Sequence, residues 1–201
     1  MLVEVKERHR EYDGLFKLDR VILRHQRLDG RLSEELTRIV FERGDSAAVV
    51  LCDAHRQAVL LVEQFRYPVY LREQADGRLL EIVAGTIESG RSPEEVARAE
   101  IREEAGLTVE SLEYVMTFYP SPGACSERIH LYLGYVSPVD RQGSVVRQDD
   151  EEEDIRVHWL PLAEALRLMR QGGIRDAKTV IALQHLALSR ADVREVQGAV
   201  A

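Results

Sequence analysis

The sequence predicts an α/β domain preceded by a small antiparallel β region, and three observations predict it. Strand-like segments fill most of the first 160 residues, one strongly capped helix interrupts them, and two helical segments lie near the end. Polar and glycine-containing turns separate the segments, and no internal repeat is present.

In order, "VILRHQRL" and "LTRIVF" read as strands, with Asp29-Gly30 marking a turn between them. "RGD" at 43–45 makes a junction, so residues 1–44 are expected as an N-terminal β domain and 45–201 as the main domain. "SAAVVLCD" and "AVLLVEQFR" form the next pair, linked by the polar "AHRQ". A further strand, "RLLEIVAG", runs directly into Gly85. Ser92 then caps a helix with Pro93 in its first position, Glu95 completing a capping box and Gly106 as the stop, which predicts a helix over 93–105. "LEYVMTFY" and "RIHLYLGYV" are strand-like and flank the Pro/Gly-rich "PSPGACSE". Six consecutive carboxylates, Asp149 to Asp154, precede the short strand "IRVHWL". Helices are expected over about 161–171, closed by Gly172-Gly173, and over 175–190, followed by a frayed tail.

Twenty-seven basic residues against thirty-five acidic ones give a formal net charge of −8. That argues against nucleic acid as the main partner and leaves room for a phosphorylated small molecule held through a cation or a few arginines. No run of about 18 apolar residues occurs, so no membrane-spanning helix is expected. The N-terminal "MLVEVKERHREYDG" lacks the apolar stretch of a signal peptide, and Cys52 and Cys125 are expected as reduced thiols, which together predict a cytoplasmic protein.

The chemistry concentrates in "GTIESGRSPEEVARAEIREEAGL". Glu100, Glu103 and Glu104 crowd the end of the helix, where the backbone dipole is already negative. Like charges one turn apart cost roughly 0.2–0.5 kcal/mol per pair. A hard divalent cation bound by carboxylate oxygens would remove that cost. Spacing alone is equally compatible with a solvated acidic face balanced by Arg98 and Arg102.

This stretch resembles the Nudix box, G-x5-E-x7-R-E-U-x-E-E-x-G-U, where U is aliphatic. Gly85, Glu100, Ile101, Glu103, Glu104, Gly106 and Leu107 match in register, while Arg91 and Ala99 stand where the pattern has Glu and Arg. "RIVFERG", "LLVEQFR", "LLEIVAGTIE", "SPGACSER" and "EEEDIRVH" are similar to segments of bacterial ADP-ribose pyrophosphatases. "IRDAKTV" leans toward the related GDP-mannose pyrophosphatases. The resemblance covers roughly residues 35–190.

The resemblance implies an α/β/α Nudix sandwich with a mixed sheet, a domain-swapped homodimer and Mg²⁺ as cofactor, with Mn²⁺ as a substitute. The implied reaction is hydrolysis of ADP-ribose to AMP and ribose 5-phosphate. The alternatives are GDP-mannose or another nucleoside diphosphate sugar, or a non-catalytic ADP-ribose sensor. The implied metal ligands are Glu100, Glu104 and the carbonyl of Ala84, with Glu103 bridging or supporting. A glycine after Ala84 is expected to let the chain turn sharply there. Glu151 is placed as the catalytic base with Glu153 as the neighbouring candidate. Arg38, Arg66, Glu127 and Arg128 are placed as substrate contacts, each arginine being open to a plain surface salt bridge instead.

Overall fold

The computed structural model describes residues 1–109, 111–136 and 154–198, with side chains described as far as residue 189. The chain divides into two compact units, Met1–Asp45 with Phe118–Ile129, and Ser46–Thr117 with the residues from His130 onward.

The first unit is built on a three-stranded antiparallel sheet in the order β1-β2-β3: β1 Val3–Asp13, β2 Lys17–His25 and β3 Leu36–Glu42. Strand β1 was not expected from its sequence, because nearly every one of its residues is exposed and it lacks an apolar alternation. It forms by pairing with β2 from Val3↔His25 to Asp13↔Lys17, with register shifts on the way. Asp19 of β2 is buried and receives hydrogen bonds from Arg8 and Arg10 of β1. The bond from Arg10, aided by Arg8, holds the Asp19 carboxyl below its ordinary range despite its burial. Segment 118–129 joins this unit through Phe41, whose amide donates to the Ala124 carbonyl (2.7 Å) and whose carbonyl accepts from Ser126 (3.1 Å).

The second unit holds a seven-stranded sheet. Five strands run in the order β10-β5-β4-β9-β8: β10 Arg156–Pro161, β5 Ala58–Phe65, β4 Ser46–Asp53, β9 Ile129–Tyr135 and β8 Leu112–Phe118. The segment read as one strand, "RLLEIVAG", is two. Its first part, β6 (Arg78–Glu81), pairs with β5, and its second, β7 (Val83–Thr86), pairs with β4. Strands β4 and β5 pair only near their hairpin, from Leu51↔Leu60 to Asp53↔Ala58. Beyond that the ladder forks, so that Val49 faces Val83 and Val62 faces Glu81. Ile82 spans the fork.

Helix α1 (Tyr67–Glu73) follows β5 and buries none of its residues. Helix α2 (Pro93–Ala105) matches its expected limits. It sets Val96, Ala97, Ile101 and Ala105 into a core with Ala47, Val49, Leu51, Leu60, Val62 and Val83. Burying each larger side chain contributes about 1.5–3 kcal/mol. Helix α3 (Leu162–Arg170) packs on β10 and on α4 (Ala177–Gly198), which runs through residues expected to fray.

A buried ion-pair group ties α4 to the sheet. Glu81, 2% exposed, accepts from Arg66 through both oxygens (2.7 and 3.0 Å) and pairs with Lys178. Burial alone would raise the Glu81 carboxyl, but the Arg66 bond and the Lys178 charge prevail and lower it. Glu81→Ala should reduce the unfolding free energy by about 2–3 kcal/mol in urea titrations, at or below the low end for buried pairs because Arg66 is partly solvated. The stabilisation that Glu81 adds over Glu81→Gln is fully present above the unfolded value of about pH 4.3 and fades as pH falls through the lowered folded value. Parallel titrations down through that range check it.

Candidate active site

Local sequence places α2 before any tertiary contact is considered. Ser92 Oγ accepts from the Glu95 amide (3.3 Å) while Glu95 returns a carboxylate oxygen to the Ser92 amide (2.7 Å). At the other end Gly106, at φ +64°, donates to the Arg102 carbonyl (3.1 Å) and Leu107 donates to that of Ile101 (3.2 Å). The helix is fixed at both ends, so the rotation of its glutamates follows from which side faces the core.

That rotation separates the three carboxylates. Glu104 turns inward and is only 9% exposed, Glu100 is half-buried and Glu103 faces solvent. Among the described residues no group of three or more His, Cys, Asp or Glu side chains gathers as a metal-holding cluster. The site is instead two carboxylates one turn apart, Glu100 set against strand β7 and Glu104 on the buried side of the helix. Ala84 and Gly85 lie on that strand opposite Ala48 and Ala47 of β4.

The contact between Glu100 and Gly85 is the tightest feature. A Cβ built on Gly85 would stand 1.7 Å from Glu100 Oε1, 2.2 Å from its Cδ and 2.6 Å from its Cγ. Gly85 is not among the glycines with positive φ, which corrects the expectation that it serves a sharp turn. It serves close approach: only a residue without a side chain lets the carboxylate lie against the strand. Two carboxylates one turn apart, one of them lying against the half-buried Gly85, are hard oxygen donors, and this set fits a divalent cation of the magnesium kind.

The other expected site residues are placed as follows. Arg66 sits just before α1, forked onto Glu81. In the first unit, Arg38 lies exposed on β3 with Nη1 donating to the Thr37 carbonyl (2.9 Å). Glu127 is buried and pairs with Arg43 (3.2 Å). Arg128 binds Asp45 through its backbone and side chain, which raises its pKa further. Glu151 and Glu153 lie outside the described residues. Within the second unit the structure sets Glu100 against Gly85, the neighbour of Ala84, and buries Glu104 one helical turn further along.

The sequence profile of the NUDIX domain matches residues 42–183. The chain belongs to the NUDIX family. The ADP-ribose pyrophosphatase of Escherichia coli (strain K12) is 42% identical over 186 residues, spanning 92% of this chain and 88% of its own length. That of Haemophilus influenzae is 34% identical over 195 residues, spanning 96% and 89%. The GDP-mannose pyrophosphatase of Cronobacter sakazakii is 38% identical over 178 residues, spanning 88% and 90%. A solved structure described as an ADP compounds hydrolase superposes with a TM-score of 0.70 over 97% of this chain and 96% of its own, at 18% identity, and so supports the fold alone.

The two departures from the NUDIX box have different surroundings. Arg91 is exposed and donates to the Glu95 carbonyl (3.3 Å), while Ala99 is 3% exposed within the packed side of α2. Sequence reasoning passed over Glu81, Lys178 and Thr179 as individuals; the signal was present in "IRDAKTV", but its partners at 81 and 82 are 97 residues away.

Gly85→Ala should leave the protein folded by circular dichroism while weakening Mn²⁺ affinity at least about tenfold, the scale of losing a group that orients a ligand. Calorimetric titration with Mn²⁺ and no substrate measures it.

Proposed function

We propose that this NUDIX protein is a Mg²⁺-dependent hydrolase that cleaves the diphosphate of ADP-ribose to give AMP and ribose 5-phosphate. The observation that carries the reading is the Glu100 carboxylate lying on Gly85 with Glu104 buried one turn further along. Relatives named ADP-ribose pyrophosphatase, matched over nearly the whole chain at up to 42% identity, support the substrate.

Glu100, Glu104 and the Ala84 carbonyl would hold the cation, with Glu103 supporting from the solvent side. Bound Mg²⁺, or Mn²⁺ in its place, supplies neutralisation of diphosphate charge and a lowered pKa for the attacking water. The chain's own residues do the rest. Helix α2 keeps its two carboxylates in fixed relation because both ends are capped. Arg66, oriented by Glu81, offers guanidinium donors to the diphosphate. Glu151 accepts the proton of the attacking water, with Glu153 as the other candidate for this role. Arg38, Glu127 and Arg128 contribute substrate contacts in a domain-swapped homodimer. The enzyme works in the cytoplasm on this reading.

The similarity to a GDP-mannose pyrophosphatase over 88% of the chain favours one second reading, the same site acting on GDP-mannose. Turnover of the two substrates compared with product identification decides between them, and tight ADP-ribose binding with neither substrate hydrolysed would overturn both. Glu104→Gln should weaken Mn²⁺ binding and turnover together. Glu151→Gln should lower kcat by about 10²–10⁴-fold while sparing metal affinity, the range for losing a general base. Equal metal loss in both variants would refute that division of roles.

A further inference from the structure

The fork in the second unit's sheet leaves one backbone group to be accounted for. Ile82 lies between β6, which pairs with β5, and β7, which pairs with β4. Its amide is buried and donates to Thr179 Oγ1 at 2.8 Å, across 97 residues of chain. Thr179 is itself fully buried, at 0% exposure. Its hydroxyl donates to Asp176 Oδ2 (2.6 Å), and the same oxygen accepts from the Thr179 amide (3.0 Å). A hydroxyl has one proton. With that proton given to Asp176, Thr179 Oγ1 presents a lone pair to Ile82.

We infer that Thr179 is a positioning residue for the metal-facing strand, acting through the Ile82 amide and oriented by Asp176. Ala84 lies two residues beyond Ile82, roughly 7 Å of extended chain. At Gly85 the clearance against Glu100 is so small that a Cβ could not be admitted without displacing the Glu100 carboxylate. A strand anchored at Ile82 holds that clearance, whereas a strand released there changes the approach of Glu100 and of the Ala84 carbonyl together. Lys178 pairs with Glu81 on the other side of the same junction and with Asp176 (3.1 Å), so the first turn of α4 grips both residues at the fork. The inference rests on the metal-site reading above.

The test is Mn²⁺ titration without substrate, followed by electron paramagnetic resonance, on wild type, Thr179→Val and Thr179→Ser. AMP formation from ADP-ribose and thermal unfolding are measured alongside. Thr179→Val keeps the volume and removes the hydroxyl; its Mn²⁺ dissociation constant should rise about tenfold or more. Thr179→Ser, which keeps the hydroxyl, should stay within about twofold of wild type. If Thr179→Val does not fold, Thr179→Cys serves, because a thiol fills the space and accepts only weakly, and its affinity should fall between the other two. A Thr179→Val or Thr179→Cys protein that melts earlier yet binds Mn²⁺ as wild type does overturns the inference, leaving a structural role alone. So does a Thr179→Ser protein as impaired as Thr179→Val. Wild type that neither binds Mn²⁺ nor forms AMP would instead sink the metal-site reading itself, and this inference with it.

Discussion

The missing side chain at Gly85 governs the rest of the second unit. A carboxylate can lie against a strand only where no Cβ intervenes, and Glu100 Oε1 stands 1.7 Å from where that Cβ would be. The contact imposes conditions on both sides. Helix α2 must hold its rotation, which the capping box and the Gly106 terminus fix locally and the Val96–Ala105 apolar face fixes globally. Strand β7 must hold its height, which its pairing with β4 provides along its length and the Ile82 amide provides at its start. The fork between β4 and β5 makes this possible, since a strand inserted there reaches α2 while remaining part of the sheet.

Buried carboxylates recur, and three of them show how the fold uses arginine. Asp19 takes Arg8 and Arg10, Glu81 takes Arg66 with Lys178, and Glu127 takes Arg43. A buried carboxylate is tolerated when forked, permanently charged donors satisfy its oxygens, and arginine keeps more of its hydrogen-bonding reach than lysine when one edge is engaged. This bears on how an arginine such as Arg66 is read. Its pairing with Glu81 and a role toward a diphosphate are compatible, because a guanidinium held along one edge is pre-oriented along the other.

What the sequence disclosed depended on whether the cause was local. The limits of α2 were legible because Ser92, Pro93, Glu95 and Gly106 act on their own neighbours. Strands β4 and β5 were legible because they are almost continuously apolar and buried. The division of "RLLEIVAG" was not, because it arises from a change of partner at Ile82 that nothing within those eight residues dictates. Strand β1 and helix α1 escaped for the complementary reason: neither buries an apolar face that would imprint a period. The carboxylate cluster was visible as composition, but its division into an inward Glu104 and an outward Glu103 came from helix rotation against the core. Gly85 was noticed and given the wrong cause, since spacing cannot distinguish a glycine that turns from one that admits a neighbour.

The altered box positions then have a physical context. In a box with Glu at 91 and Arg at 99, a charged pair can brace the loop before the helix against the helix itself. Here Ala99 sits in the packed side of α2, and bracing passes to other contacts. Arg91 reaches the Glu95 carbonyl, Glu95 is locked to Ser92, and Arg98 joins Glu94 to the Val109 carbonyl (2.8 Å) beyond the helix end. These contacts hold the same loop, the same first turn and the chain that leaves the helix. The Ser92–Glu95 box and the Arg98 contacts need neither residue 91 nor residue 99, while Arg91 adds its own bond to the Glu95 carbonyl. A helix capped and braced in this way keeps Glu100 against Gly85 and Glu104 on its buried side without the exchanged charge pair, and that is why loss of the pair and retention of Glu100, Glu103 and Glu104 can coexist.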